Sequence, residues 1–182
     1  MLFIPDRVLI WFLAGVVMLG GFHGDLSAAE GSWRSAKQKA TFLANCAHFI
    51  EWPATAFSSG DAPLTIGVFG DDPFGPALEE VARNSTSHGR NIQIVHPQTL
   101  PEARECHLLF IGRKTKRLGP ILSDLKGRSV VTVGETDSFL AAGGMIALLS
   151  ERTNVRLRIN STMVNAANVT MSSKLLRIGA QR

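Results

Sequence analysis

Four short apolar runs punctuate the chain: LTIGVF at 64–69, HLLFIG at 107–112, SVVTVG at 129–134 and MIALLSE at 145–151. Each is bounded by turn residues and separated from the next by a helical pattern. Runs this short, with little polar alternation, fit strands covered on both faces, and the helical stretches between them supply the covers. The alternation points to an α/β fold in one domain, with a central, largely parallel sheet of about five to six short strands and helices on both faces. NIQIVH at 91–96 adds a strand. VRLRIN at 155–160 alternates apolar and polar residues, as an edge or half-exposed strand does, and the final strands could run antiparallel.

The helices follow from spacing and caps. Phe42, Cys46, Phe49 and Ile50 recur at helical intervals in SWRSAKQKATFLANCAHFIEWP, and Pro53 stops that helix. DDPFGPALEEVARN reads as a helix with Asp72 as N-cap and Pro73 in its first turn. PEARE reads as a polar turn, LGPILSDLKG as a helix ended by Gly127, and DSFLAA as a short helix. Two short helices close the chain, the last starting near Ser172.

Residues 1–29 have the pattern of a cleavable secretory signal: Arg7, an apolar run from Val8 to about Phe22, and Ser27 and Ala29 before a cleavage ahead of Glu30. The apolar run is roughly 15 residues, short of the ~20 that span a bilayer. The expected mature domain is 30–182, exported to the periplasm. At 45% hydrophobic and 19% charged residues the full chain has the material for a core. A net charge of +4 would suggest nucleic acid in a cytosolic protein, but export removes that partner. The densest basic stretch, GRKTKRLG at 112–119, reads as the solvated face of a helix. Its functional alternative is contact with an acidic partner or an anionic membrane surface.

Chemistry-bearing patterns are sparse. Asp71 and Asp72 follow the first strand, and Glu135 and Asp137 follow a later one, where open α/β sheets place ligands. Together they could line a ligand crevice; as single residues they cap helices and complement helix dipoles. No dinucleotide or phosphate-loop glycine pattern, nucleophile elbow or zinc-type histidine spacing occurs. The chain therefore reads as a non-enzyme without a cofactor or metal. In FLAAGGMIALL, Gly143 and Gly144 come after a short helix and before a strand. That is the reverse of a phosphate loop, and it fits a helix C-cap. Cys46 and Cys106 are either a disulfide pair or two buried small hydrophobes.

KATFLANCAHFIEWP, IGVFGDDPFG, CHLLFIG, VVTVGETDSFLAAGGMIALL and RLRINSTMVNAANVTMSSKLLRIG, in that order, resemble the YfiR-like family of exported bacterial proteins. Trp52 and Pro53 match the family's helix end, and Phe139, Gly143, Gly144, Met145 and Ile146 its turn and strand. Asn160, Ser172, Ser173, Lys174, Leu175 and Leu176 match its C-terminal signature. In the resembled protein the cysteine matching Cys106 bonds to one in the first strand; here Gly67 stands at that place, and Cys46 has no counterpart.

The resemblance implies a periplasmic, non-catalytic regulator that restrains an inner-membrane diguanylate cyclase through that enzyme's periplasmic domain and so lowers cyclic-di-GMP output. It also implies a homodimer, an outer-membrane lipoprotein that relieves the restraint, and a place in biofilm control. Trp52, Phe139 and Met145 become contact candidates where they are exposed. The alternative is a periplasmic small-ligand-binding sensor component using Asp71, Asp72, Glu135 and Asp137.

Overall fold

The structure, a computed structural model, describes residues 23–151 and 154–180. Most of the expected signal segment, residues 1–22, lies outside them. Two compact units divide the chain at residue 34. The described part of the first is the opening of helix α1 (His23–His48), and no described helix is long and apolar enough to cross a membrane.

The second unit carries a seven-stranded sheet. Its order is β3 (Thr86–Ser87), β4 (Arg90–Val95), β2 (Leu64–Phe69), β5 (Leu108–Ile111), β6 (Val131–Gly134), β7 (Ile146–Glu151) and β8 (Asn154–Ile159). The five strands from β4 to β7 are parallel, while β3 and β8 pair antiparallel at the two edges. The expected α/β class holds, with more strands than anticipated, and VRLRIN is indeed an edge strand. Counted along the chain, the parallel strands run second, first, third, fourth, fifth, one of the two common doubly wound orders.

Both faces are covered. On β5, Leu108 and Phe110 enter one core cluster and Leu109 and Ile111 the other, as the two-residue period of a strand requires. The larger cluster takes Leu43 and Ala47 of α1, Leu78 of α2 (Pro76–Arg83), Val164 of α6 (Ser161–Ala166) and Leu175 of α7 (Ser173–Ala180). The smaller takes Ala103 of α3 (Leu100–Arg104), Ile121, Leu122 and Leu125 of α4 (Leu118–Leu125), and Phe139 of α5 (Asp137–Ala141).

Three local expectations change. The first helix stops at His48, before Phe49 and Ile50, because Ile50–Glu51 (β1) pairs antiparallel with Thr170–Met171 (β9), a partner far away in sequence. The second helix starts at Pro76, not after Asp72. A residue preceding proline is pushed out of helical geometry, and Gly75 has φ +50°. Asp72 Oδ1 instead accepts the N–H groups of Phe74 at 2.7 Å and Gly75 at 3.3 Å and closes the preceding turn. PEARE is helical: Thr99 accepts the Glu102 N–H, while Glu102 Oε2 accepts the Gln98 N–H at 2.8 Å.

Candidate functional site

In a doubly wound sheet the ligand crevice opens between the carboxyl ends of the strands that flank the reversal of order, here β2 and β5. That crevice is filled by its own loops. Gly112 amide nitrogen donates to the Phe69 carbonyl at 2.8 Å, and Lys114 amide nitrogen donates to Asp71 Oδ1 at 2.8 Å. A Cβ on Gly112 would overlap the Asp71 backbone, and one on Gly70 would overlap the Thr115 hydroxyl. Asp71 is therefore a loop-to-loop clamp.

The other carboxylates have partners of their own. Asp72 Oδ2 stands 3.7 Å from His96 Nε2. Glu135 is buried and accepts from Lys39 Nζ of α1 at 2.5 Å, whereas Asp137 pairs with Arg158 of β8. Among the described residues no three His, Cys, Asp or Glu side chains gather as a metal ion requires. The four candidates lie beyond the carboxyl ends of β2 and β6 but do not share one crevice.

Phe139 and Met145 lie in the core, 2% and 5% exposed, and so present no surface. Gly143, at φ +102°, supplies the left-handed turn after α5, and Gly144 clears space for the Phe139 ring. Asn160 caps α6 by accepting the Met163 N–H at 3.3 Å, and Ser172 Oγ accepts the Leu175 N–H in the first turn of α7 at 3.3 Å. Ser173 is exposed at the start of α7. Both cysteines are free and buried, in different clusters on opposite faces of the sheet. Burial pushes the Cys46 thiol up to about 12; burial and then the Glu105 charge push Cys106 up to about 11. Neither is a reactive thiolate.

The cluster that sequence reasoning missed is at the opposite, amino end of the strands. Half-buried Trp52, held by Pro53 at the start of the 3₁₀ turn Ala54–Ala56, donates from Nε1 to the His107 carbonyl at 3.1 Å. The His107 ring stacks on Phe57 with centroids 4.3 Å apart, and the Arg90 guanidinium covers the Phe57 ring at 3.8 Å. Arg90 also donates to the Ala62 carbonyl at 2.6 Å. A cleft of about 300 Å³ opens here, walled by Glu51, Trp52, Phe57, Leu64, His88 and Arg90. His88, at φ +50°, places Nε2 3.0 Å from the Ile50 carbonyl. The weak clue in the sequence was His107 at the mouth of a buried strand.

GRKTKRLG is a turn rather than a helix face. Arg113, Lys114, Lys116 and Arg117 are all exposed between β5 and α4.

Residues 36–180 match the family described as YfiR/HmsC-like. The chain belongs to the YfiR/HmsC-like family. No curated protein matches it by sequence. The match covers nearly all of the second unit, from Ala36 on α1 to the end of α7. YfiR/HmsC-like proteins are periplasmic, regulatory and non-catalytic. In this YfiR/HmsC-like chain, Trp52 joins a polar–aromatic cluster, while Phe139 and Met145 build the core.

Proposed function

We propose that the chain is a periplasmic binding protein that restrains an inner-membrane diguanylate cyclase by engaging its periplasmic domain, lowering cyclic-di-GMP. The observation that carries this reading is the family match over residues 36–180. The plugged crevice between β2 and β5 supports it, since output through a protein contact needs no substrate pocket there. The mechanism is differential affinity: the chain binds the inactive cyclase conformation more tightly and shifts the population toward it. A tenfold fall in output requires at least a tenfold preference for that state. Homodimer formation and relief by an outer-membrane lipoprotein belong to the same proposal.

Deleting the gene tests the reading in cells. Cyclic-di-GMP should rise and return to its starting level on complementation; an unchanged level, with no membrane protein retained by the chain, would reject it.

The cleft beside Trp52, Phe57 and Arg90 favours a second reading, a sensor component that takes a small ligand. On that reading a ligand raises the melting temperature, and a Phe57→Ala variant loses the rise.

A further inference from the structure

Arg113, Lys114, Lys116 and Arg117 are four exposed cations within five residues, at the carboxyl edge of the sheet. Among the described residues none of their side chains has a hydrogen-bond or ion-pair partner. Their position opposes local electrostatics. They precede the N-terminus of the eight-residue helix α4, where partial positive charge favours anions, and Arg117 occupies a left-handed conformation at φ +60° without a capping bond. One carboxylate, Asp71, lies at the base of the turn and accepts the Lys114 N–H, leaving a surplus of positive charge.

The turn is also braced. The Asp71–Lys114 bond, the Gly112–Phe69 bond and the close fit of Thr115 on Gly70 hold its backbone against the β2 loop. Its cations project from a fixed platform.

We propose that this turn docks the protein on an anionic membrane surface. Two features favour lipid over a protein partner. The core of a protein interface is apolar and poor in lysine, whereas the turn from Gly112 to Arg117 contains no apolar side chain, and Leu118 turns into the smaller core cluster. A set of unpaired cations on a rigid loop suits a diffuse sheet of phosphate charge, which needs no shape match. The inference goes beyond the regulatory reading and does not depend on the identity of the cyclase. Docking would hold the chain in the plane where a membrane-bound partner stands.

The test is co-sedimentation of the protein, purified from the periplasmic fraction, with vesicles of phosphatidylcholine alone or mixed equally with phosphatidylglycerol. Wild type should sediment only with the anionic vesicles and release as salt rises toward roughly 0.5 M, because the screening length shortens. The variant R113Q/K114Q/K116Q/R117Q should lose binding on the order of a thousandfold. A control that removes equal charge elsewhere, R83Q/K126Q/K174Q/R177Q, should bind as wild type does. Four results would overturn the proposal: equal binding to neutral vesicles, insensitivity to salt, equal loss in both variants, or intact vesicle binding in the turn variant. The first two use wild type alone, so they hold even if a variant misfolds. Loss of cyclase capture in the turn variant, with vesicle binding intact, would reassign the turn to a protein contact.

Discussion

The Phe139 ring occupies the space that a Cβ on Gly144 would take, and a Cβ on Gly134 would also stand only 2.5 Å from it. Gly134 at the end of β6 and Gly144 in the turn before β7 thus frame one buried aromatic. Gly144→Ala should destabilise the domain by about 1–3 kcal/mol through overpacking. Adding Phe139→Leu should restore part of that loss, because the two substitutions share one space. Urea denaturation of the single and double variants measures the coupling.

The Thr65 N–H donates to His107 Nδ1 at 3.0 Å, which leaves Nε2 to donate to the Ala56 carbonyl at 3.1 Å. Burial lowers the His107 pKa below its ordinary value near 6.5; the bond to Ala56 opposes this and the Arg90 charge adds to it. As pH falls below about 6.5, the unfolded chain takes up the proton first. The stability contributed by neutral His107 is therefore complete above pH 6.5 and is lost as pH falls through the lower folded value. Melting temperature should decline from neutral pH into mild acid, and His107→Gln should flatten that slope while lowering stability throughout.

Cys106 is within disulfide reach of Gly67 on β2. A Cβ on Gly67 would lie 2.5 Å from Cys106 Sγ, with Leu109 the other near neighbour at 2.9 Å. Gly67→Cys should therefore pair with Cys106 when the chain folds under oxidising conditions. Closing a loop of this length stabilises by about 4 kcal/mol in the chain-entropy model, less the cost of moving Leu109. Thiol titration with and without reductant, alongside urea midpoints, checks the pairing and its effect.

Lys39 and Glu135 form a nearly enclosed ion pair, with side chains 12% and 5% exposed, that ties α1 to the end of β6. Lys39→Met leaves the carboxylate buried and unpaired and should cost about 3–5 kcal/mol. Changing both, Lys39→Met with Glu135→Leu, should recover most of that loss. Thermal and urea unfolding of the three proteins separates the outcomes.

Four of the five parallel strands were legible because each is a self-contained apolar run, and the fifth, β4, from Ile92, Ile94 and Val95. β1 and β9 were not, since each is two residues long and exists only through the other. Asp71, Asp72, Glu135 and Asp137 were placed correctly after strands, but their partners come from other elements: Lys39 from α1, Arg158 from β8, and the Lys114 amide from a neighbouring loop. Such pairings set whether a carboxylate binds a ligand or braces a fold, and local pattern does not contain them. Phe57, His88, Arg90 and His107 were overlooked for the same reason: they converge from separate segments. The glycine pair was the opposite case. A helix before it and a strand after it specified a C-cap, and Gly143 at φ +102° provides the turn.

Cyclase activity measured in membrane vesicles with the periplasmic face accessible tests the regulatory reading most directly. Adding the purified protein should lower the rate of cyclic-di-GMP synthesis in a saturable way, with no effect on a cyclase lacking its periplasmic domain. An unchanged rate at saturating protein, or equal inhibition of the truncated cyclase, would contradict it.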